Sequence, residues 1–556
     1  MAYQKNHELW LNEPNLDQTL KEELKMLSQE QLEDAFYKDI EFGTAGARGL
    51  MGPGTNRINI YTIKKIALGF SRYIKKQAPT SSVRVAISYD NRINSKLFAY
   101  TCARVLAAQG IESFITKELR PTPFLSYMVR TFKCDGGIMI TASHNPKEYN
   151  GFKAYDDKGG QLVPHLADQL TEEVMKITNY FNIQELDKSH LIHEIEDELD
   201  ASYLEKVKKI QLQDFKEKPL KFIYSPLHGT GGVLIPRLMK DLGYDYHYVR
   251  EEMVPDGYFT HTKSSNPEDE NSYLNAIKLL DDVKGDYVLV TDPDADRLGV
   301  MVRENGENIF LNGNQTAALE LFYLLSIYKE RGTLDKDGVV YASNVSTPLL
   351  RIISEDFNVH YHEVLTGFKF IGEAIENTKR PYLFGAEESY GSLVSPFVRD
   401  KDAIQAVLIL TEMATYYHQQ GKTLYNVLED LYERYGIINE NTLSFTYEGV
   451  EGASKILRIM NHLRDNGIHI EDEEIVRTDD YIKGLSIYKS HREPLETLKV
   501  NVIKYYYKKG HILIFRPSGT EPKLKVYMYL SASSYKEGER LYHKFFDTVN
   551  ATLREI

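Results

Sequence analysis

The chain has 556 residues, 42% of them hydrophobic, and carries 67 basic against 80 acidic side chains, a formal net charge of −13. This length exceeds what a single hydrophobic core organises, and it predicts about three to five domains. The acidic balance argues against general nucleic-acid binding. An anionic substrate would therefore be attracted by local basic sites and not by the overall field of the protein.

Cysteine usage and the first residues bear on the cellular compartment. Cys102 and Cys134 are the only cysteines, and neither belongs to a C-x-x-C pattern. One cysteine pair cannot hold together a protein of this size, so a reducing, cytoplasmic setting is predicted. The N-terminal stretch MAYQKNHELWLNEPNL has no apolar signal core, and we expect no membrane association.

The first motif along the chain is the glycine-rich stretch EFGTAGARG, residues 41–49. It lacks the lysine and the spacing of a Walker A loop. We predict a flexible loop here, with Arg48 as a candidate contact for phosphate.

A local plan then recurs: a short apolar strand ends in a polar loop, and a helical pattern follows. This alternation predicts α/β units with mainly parallel sheets. In such sheets functional residues collect at the carboxyl ends of strands. The predicted strands lie in VRVAISYD, IMITASH, KFIYSPLHGTGG, DYVLVTDPDADR, VVYASNVST and YLFGAEESYG.

The stretch ITASHNPKEYNGFK places Ser143 where the second of these strands ends. A nucleophile, a ligand and a simple turn serine are all compatible with this position, since Ser, Asn and Pro are ordinary turn residues. Local sequence does not decide between them. Because His144 is adjacent to Ser143, its side chain would point the other way if the chain stayed extended.

The connecting segments differ in character. Residues 187–219 are predicted to be mostly helical. The stretch AIQAVLILTEMA, residues 403–414, is too short and too polar to span a bilayer and predicts a buried helix with Asp402 as its N-cap. After residue 440, helical stretches flank strands such as HILIF, which predicts an α+β domain.

The loop TDPDADR places Asp292, Asp294 and Asp296 two residues apart after an apolar strand. Carboxylates this close repel one another unless a cation joins them. A ligand set made only of oxygen favours Mg²⁺ or another hard ion. An EF-hand is excluded because its sixth and twelfth positions are Arg297 and Arg303. The alternative is a solvated acidic turn.

Two later loops offer groups suited to a phosphorylated sugar. GAEESYG supplies Glu387, Glu388 and Ser389, which can pair with sugar hydroxyls. RPSGTEPK supplies Arg516, a planar fork for phosphate, and a serine–glycine–threonine turn that can form an anion nest. Taken alone, GAEESYG favours a polar exposed turn, and RPSGTEPK is equally compatible with an ordinary turn.

Together, and in this order, these loops resemble those of the α-D-phosphohexomutase family, in its phosphoglucomutase branch. TASHNP resembles the phosphoserine loop of that family, DPDADR its metal loop, GAEESYG its sugar-recognition loop and RPSGTEPK its phosphate-binding loop. FGTAGARG, SPLHGTGG and LTGFKFIG also match in order, so the resemblance covers nearly the whole chain.

The resemblance implies a heart-shaped molecule of four domains around a central cleft. Three related α/β domains would span residues 1–210, 211–325 and 326–440, and a smaller α+β domain would span 441–556. It also implies one Mg²⁺ per chain, a small-molecule sugar phosphate as the partner, and a monomer or weak homodimer.

The resemblance further implies roles for individual residues. Ser143 would be the phosphorylated residue, Lys153 the general acid/base, Arg48 and Arg297 stabilisers of the moving phosphoryl group, and His144 a supporting hydrogen-bond partner. The metal ligands would be Ser143, Asp292, Asp294 and Asp296. Substrate contacts would come from Thr366, Gly367, Lys369, Glu387, Ser389, Arg516, Ser518, Gly519, Thr520 and Lys525.

The implied reaction interconverts glucose 1-phosphate and glucose 6-phosphate through a phosphoserine enzyme and glucose 1,6-bisphosphate. The AEES loop resembles the GEES-type loops of glucose-specific members, although Ala386 stands where many members have glycine and Ala47 replaces a common leucine. A pentose or mannose phosphate remains an alternative substrate. A catalytically silent sugar-phosphate-binding protein is the alternative of another class. A serine hydrolase is disfavoured because the G-x-S-x-G elbow is missing.

Overall fold

The computed structural model describes residues 2–43, 46–78, 82–447, 449–497, 499–518 and 523–556. Within these ranges the chain divides into two compact units. The first unit contains Met1–Tyr341 and Gly367–Leu424, and the second contains Ala342–Thr366 and Tyr425–Ile556. The four-domain division expected from the sequence stays a prediction.

The N-terminal part of the first unit surrounds a seven-stranded sheet. Its helices are α1 (Ala2–Leu11), α2 (Gln18–Met26), α3 (Gln29–Phe36), α4 (Ile60–Gln77), α5 (Ser95–Ala108), α6 (Thr122–Thr131), α7 (Pro164–Met175) and α8 (Glu198–Lys208). Its strands are β1 (Phe42–Gly43), β2 (Gly46–Leu50), β3 (Arg84–Tyr89), β4 (Glu112–Thr116), β5 (Gly136–Ile140), β6 (Tyr149–Tyr155) and β7 (Ile192–Ile195).

This first sheet is mixed, with the strand order β1-β2-β6-β5-β3-β4-β7. Strands β5, β3, β4 and β7 are parallel, as predicted, whereas β6, β2 and β1 add antiparallel strands on one side. The antiparallel side arises because the loop after β5 folds back at once into β6. The buried faces of α4 and α5 pack with the sheet in one hydrophobic core.

A second sheet follows, built from β8 (Lys221–Ser225), β9 (Asp245–Tyr248), β10 (Tyr287–Thr291), β11 (Leu298–Glu304) and β12 (Glu307–Leu311). Its order is β12-β11-β10-β8-β9, with β9, β8 and β10 parallel. The accompanying helices are α9 (Gly231–Leu242), α10 (Leu274–Val283) and a short 3-10 helix, Glu270–Tyr273.

The next elements are α11 (Gly313–Glu330), β13 (Val339–Ser343), α12 (Pro348–Asp356), β14 (His360–Val364), α13 (Phe368–Asn377), β15 (Tyr382–Glu387), β16 (Gly391–Leu393), α14 (Ala403–His418) and α15 (Leu424–Tyr435). The predicted buried helix is confirmed as α14. Its predicted cap is also confirmed, because the Asp402 side chain accepts hydrogen bonds from the backbone N–H groups of Ile404 and Gln405.

The C-terminal elements form an antiparallel sheet covered by helices, as the α+β prediction required. They are β17 (Ile437–Thr446), α16 (Gly449–Asn466), β18 (Ile475–Asp480), β19 (Leu485–Tyr488), β20 (Arg492–Pro494), β21 (Ile503–Tyr507), β22 (Ile512–Pro517), β23 (Lys523–Ala532) and α17 (Tyr535–Glu555). Helices α16 and α17 bury apolar faces against β21, β22 and β23.

Two local predictions are wrong. Residues 187–219 are not mostly helical: they contain β7 and the 11-residue helix α8, because Ile192 and its neighbours pair with β4 at the sheet edge. Arg48 does not lie in a flexible loop, since it belongs to β2 and pairs with β6. Among the described helices, none has both the length and the apolar character needed to cross a bilayer.

A buried acid on α11 makes stability depend on pH. Glu320 is 1% exposed, one carboxylate oxygen has no hydrogen-bond partner among the described residues, and burial raises its pKa to about 8 despite a hydrogen bond with Ser392. The folded protein therefore binds this proton more tightly than the unfolded chain does. Between the ordinary glutamate pKa and about 8, its contribution to folding stability is lost progressively as pH rises.

We predict that the melting temperature of Glu320→Gln rises relative to that of the unsubstituted protein when the pH is raised from 5.5 to 8.5. Glutamine keeps the volume of the side chain but cannot become charged. Calorimetric melting at both pH values measures this, with the exposed Glu330→Gln on the same helix as the control. An equal difference in melting temperature at both pH values would contradict the prediction.

Candidate active site

Ser143 lies just past the end of β5 and is 3% exposed. Its φ is +51°, in the left-handed region, so the chain turns sharply there. This turn directs the serine Oγ at Asp292, whose Oδ2 accepts a hydrogen bond of 2.8 Å. The loops that follow β5 and β10 therefore meet, as their places at strand ends predicted.

The turn also corrects one expectation. The His144 side chain does not point away from Ser143, because the chain is not extended here: its Nδ1 lies 3.2 Å from the serine Oγ. Burial, together with Arg297 and Arg48, lowers the His144 pKa well below its ordinary value. A neutral imidazole in contact with the serine is compatible with the supporting hydrogen bond that we predicted.

The three aspartates follow β10 and are buried, with Ala295 in a left-handed turn at φ +49°. Oxygen atoms from Asp292, Asp294 and Asp296 lie within 4.8 Å of one another. The second oxygen of Asp292 also accepts hydrogen bonds from the backbone N–H groups of Asp296 and Arg297, at 3.1 and 3.0 Å. Burial and the neighbouring carboxylates raise the pKa of Asp292 well above its ordinary value.

Lysine and arginine side chains offset this buried negative charge. Lys153 Nζ donates to Asp294 Oδ2 at 2.7 Å and lies 3.5 Å from Asp296 Oδ2. Although burial acts to lower it, these carboxylates raise the pKa of Lys153. For Asp294 burial acts in the upward direction, but Lys153 holds the pKa of this carboxyl below its ordinary value. Arg297 Nε lies 3.9 Å from Asp296 Oδ1.

The same residues fit a divalent cation. Asp294 Oδ1 and Asp296 Oδ1 are buried and have no hydrogen-bond partner among the described residues. Unpaired buried carboxylate oxygens are costly, and a hard cation is the group that oxygen-only ligand sets bind. The aspartate cluster is therefore able to hold the metal ion that such loops generally use.

The sugar-loop candidates lie in and around β15 and α13. Glu387, at the end of β15, is buried and accepts a hydrogen bond of 2.7 Å from the Gly367 N–H. Lys369 is 4% exposed, and burial lowers its pKa to about 8. Ser389 follows β15 and is partly buried. A buried lysine and a buried carboxylate suit an anionic, hydroxyl-rich ligand.

Arg48 contacts the serine loop from β2. Its Nη1 donates a hydrogen bond of 2.6 Å to the Asn145 side chain, while its Nε is buried without a partner among the described residues. This leaves part of the guanidinium available to a ligand.

The second unit contains the remaining candidates. Arg516 on β22 and Lys525 on β23 are direct cross-strand partners, and the guanidinium donates to Tyr527 Oη at 3.3 Å. Like charges placed opposite each other destabilise a sheet unless an anion lies between them. The backbone N–H of Ser518 donates to Lys523 O at 2.7 Å. Gly519 and Thr520 lie outside the described residues.

Thr366 is also assigned to the second unit, where its hydroxyl donates to the Asn344 side chain at 3.0 Å. This contact does not test the predicted role of Thr366 in substrate binding, which stays a prediction.

Sequence reasoning missed two residues that contact the aspartate cluster, Lys401 and Thr122. Lys401 Nζ lies 3.3 Å from Asp296 and 3.6 Å from Glu387, so it links the metal loop to the sugar loop. Thr122 Oγ1 donates to Asp294 at 2.8 Å. Lys401 follows an aspartate in the stretch VRDKDA, and a charged cluster after a buried strand was the one signal that could have found it.

The motif SPLHGTGG packs behind the metal loop. A Cβ on Gly229 would approach Pro293 Cα to 2.4 Å, so only glycine lets the two backbones come this close. Thr230 donates to Pro293 O from both its backbone N–H and its hydroxyl, at 2.8 and 3.0 Å. This motif therefore supports the loop that contains the aspartates.

Comparison with known proteins gives matches along the chain. Residues 39–181, 201–306 and 312–435 match the models of phosphoglucomutase/phosphomannomutase alpha/beta/alpha domains I, II and III. A phosphoglucomutase of Staphylococcus epidermidis is 36% identical over 522 residues, covering 91% of this chain and 94% of that protein. A phosphoglucomutase of Staphylococcus saprophyticus is 35% identical over 545 residues, covering 95% of this chain and 97% of that protein.

Solved structures share the fold. Parafusin, a phosphoglucomutase from Paramecium in its open form, superposes with a TM-score of 0.68 at 18% identity and covers 93% of this chain and 95% of its own. A phosphoglucomutase/phosphomannomutase family protein from Burkholderia thailandensis gives a TM-score of 0.68 at 17% identity, covering 92% and 97%.

The three α/β/α domain matches and the buried serine–carboxylate site define an isomerase of the phosphotransferase type. The chain belongs to the phosphoglucomutase/phosphomannomutase family, in its phosphoglucomutase branch. The resemblance read from the sequence is thereby confirmed, as is the fold class.

We predict that Asp296→Asn weakens the binding of a divalent cation by about tenfold or more, because it removes a charge from the ligand set. Calorimetric titration with Mn²⁺ measures the affinity. The exposed Asp281→Asn, which loses only its pairing with Arg303, is the control. Equal Mn²⁺ affinities of the two variants would show that the cation binds elsewhere.

Proposed function

We propose that this protein interconverts glucose 1-phosphate and glucose 6-phosphate through a phosphorylated Ser143 and a glucose 1,6-bisphosphate intermediate. Phosphoglucomutase activity is what the relatives at 34–36% identity are named for. The main support for the roles assigned to individual residues is the hydrogen bond from Ser143 Oγ to a buried carboxylate cluster that also binds Lys153.

The reaction needs two phosphoryl transfers, one from phosphoserine to the sugar and one from the sugar bisphosphate back to the serine. In the first transfer the phosphoserine O–P bond breaks and a bond from phosphorus to the free sugar hydroxyl forms. One proton leaves that hydroxyl, and one proton is returned in the second transfer, when the other phosphoryl group comes back to Ser143. We assign this proton exchange to Lys153, which the carboxylates keep protonated and which lies 2.7 Å from Asp294 of the metal loop. In the first transfer its ammonium would give a proton to Ser143 Oγ as the O–P bond breaks, and the neutral amine would take the proton that leaves the sugar hydroxyl. In the second transfer Lys153 would protonate the sugar oxygen that phosphorus leaves and would take the proton of Ser143.

Catalysis would rest on positioning and on stabilising charge. Asp292, Asp294 and Asp296, with an oxygen from Ser143, would hold one Mg²⁺, which when bound would draw negative charge off the transferring phosphoryl group. Arg297 lies beside the carboxylates, so its guanidinium is placed to offset charge on the same group.

Substrate recognition is proposed for two groups of residues. In the first unit Gly367, Lys369, Glu387 and Ser389 would bind the sugar and its charge. In the second unit Arg516 and Lys525, with the turn that contains Ser518, Gly519 and Thr520, would bind the phosphate that is not reacting. The proposal also includes the four-domain arrangement and a substrate contact from Thr366.

We also propose a cytoplasmic setting and a monomer or weak homodimer. Support for the compartment comes from Cys102 and Cys134, which are free and buried thiols.

The choice of glucose is tested by comparing kcat/KM for glucose, mannose and ribose 1-phosphates. Glucose and mannose differ in one hydroxyl configuration, and a mispaired hydroxyl costs about 1–3 kcal/mol, roughly ten- to a hundredfold in preference. We expect the highest value for glucose 1-phosphate. A higher value for mannose or ribose would overturn the sugar assignment and leave the phosphoserine mechanism standing.

We predict that Ser143→Ala abolishes turnover while the protein stays folded, because it removes the atom that carries the phosphoryl group. Intact mass spectrometry after incubation with glucose 1,6-bisphosphate should show one added phosphoryl group on the unsubstituted protein and none on the variant. Phosphate gained by both proteins, or activity retained by the variant, would disprove the role of Ser143.

We predict that Arg516→Ala lowers kcat/KM by an amount equivalent to about 1.5–3 kcal/mol, because a charge-assisted fork to phosphate is lost. KM should rise and kcat should fall together, since remote binding energy helps to hold the reacting end. Steady-state kinetics measure both constants. Arg540→Ala, which alters an arginine with 77% side-chain exposure, is the control. An unchanged kcat/KM in the Arg516 variant would place the phosphate elsewhere.

A further inference from the structure

We propose that Arg92 is the positioning residue of the phosphoserine loop: its guanidinium fixes the backbone from which Ser143 reacts. The inference rests on the proposed function of Ser143. Arg92 is 3% exposed. Its Nη2 donates hydrogen bonds to the backbone carbonyls of Ser143, at 2.6 Å, and Asn145. Its Nη1 donates to the carbonyls of Pro146, at 2.8 Å, and Tyr149, at 3.0 Å.

These four carbonyls lie between the end of β5 and Tyr149, the first residue of β6, and this connection needs an external donor. Ser143 is held at φ +51°, a conformation that costs free energy for any residue with a side chain. Such a conformation persists only where the surroundings determine it. Arg92 supplies that determination, because the Ser143 carbonyl is buried and a buried carbonyl without a donor is costly. The conformation in turn directs Ser143 Oγ to Asp292.

Arg92 is itself held from two sides. Its Nε lies 3.3 Å from Asp90 Oδ2, and its backbone N–H donates to Asp90 Oδ1 at 2.9 Å. Ser95 Oγ donates to the same Asp90 oxygen at 2.7 Å. The guanidinium carbon lies 5.3 Å from the centre of the Phe259 ring, within the range of a cation–π contact. The guanidinium therefore has one orientation available to it.

The segment that contains Phe259 also contacts the loop directly. Ser265 Oγ lies 3.0 Å from His144 O and 3.2 Å from Asn145 O, and donates to these carbonyls. Arg92 and Ser265 thus both donate to the carbonyl of Asn145, and each also donates to other carbonyls of the phosphoserine loop. Phe259 and Ser265 lie between β9 and the 3-10 helix Glu270–Tyr273, so residues from outside the first sheet also hold the phosphoserine loop.

The role requires a guanidinium. Two terminal nitrogens in a rigid plane donate to four carbonyls, whereas a lysine ammonium is a point charge with three donors on a flexible stem. None of the contacts of Arg92 engages the Oγ of Ser143, so Arg92 acts through the loop and not on the substrate.

The test compares Arg92→Lys with Arg120→Lys. Arg120 is equally buried, at 4% exposure, and is bound to Asp197 and Asp200 at 2.7 and 2.8 Å, with no part in the serine loop. Three measurements are made on each: melting temperature, steady-state kcat and KM, and the rate at which intact mass shows phosphate transfer from glucose 1,6-bisphosphate to Ser143.

We expect Arg92→Lys to lower both kcat and the phosphorylation rate by about 10- to 100-fold, the effect of a misplaced reacting group, with KM changed less than about threefold. Arg120→Lys should lose a similar amount of melting temperature but keep kcat within about threefold. A kcat for Arg92→Lys within threefold of the unsubstituted protein, or an equal loss in both variants, would overturn the inference.

Two further measurements keep the inference testable if Arg92→Lys fails to fold. Ser265→Ala removes only the second set of donors and should lower the phosphorylation rate, by less than Arg92→Lys would, at unchanged KM; an unchanged rate would count against a positioned loop. Adding guanidinium chloride at millimolar concentration should restore part of the activity of Arg92→Ala, and no restoration would oppose the inference. If the unsubstituted protein gains no phosphate on Ser143, it is the proposed function that fails.

Discussion

The burial of three carboxylates at one point is the constraint around which the rest of the site is arranged. Isolated ionised carboxylates are strongly disfavoured away from water, and like charges raise one another's pKa. Lys153, Lys401 and Arg297 lie within 4 Å of these carboxylates and offset their charge. Two of the oxygens still have no partner among the described residues, which leaves the cluster suited to a cation and to a phosphoryl group beside it.

This charge balance joins parts of the chain that are far apart in sequence. Ser143 follows a strand of the first sheet, and Asp292 follows a strand of the second. Lys401 precedes α14 and adds a contact to Glu387 of the sugar loop. Each group is held by a second contact, so the loss of one pairing would leave a buried charge uncompensated. Stability therefore depends on the same residues that we propose for catalysis, and substitutions here are expected to affect both.

Backbone conformation is the second requirement of the site. Ser143 and Ala295 both have positive φ, and each lies at the turn where its loop leaves a strand. Contacts from other residues stabilise these turns. Arg92 binds the carbonyls of the serine loop, and Gly229 lets the backbone at Pro293 pack closely. The groups proposed to act in catalysis are thus presented by strained loops on rigid sheets, which is how preorganised sites are commonly built.

Much of this could be predicted from the sequence, because the signals involved are local. The strand periodicities, the N-cap at Asp402 and the spacing of the three aspartates lie within a few residues of one another. The order of the loops was enough to identify the family, since each loop follows its own strand. The same local reasoning was wrong for residues 187–219, where pairing with β4 decides that Ile192 lies in a strand.

Only the tertiary structure decided the contacts between distant segments. Lys153 and Asp294 are 141 residues apart in sequence, and their contact in the folded protein raises the pKa of the lysine. Arg92 and Lys401 carry no motif of their own, and their roles follow from the carbonyls and carboxylates that folding brings around them. The sequence by itself determined which chemical groups follow which strands. Their charge states and their orientation depend on burial and on partners from other parts of the chain, and these exist only once the chain is folded.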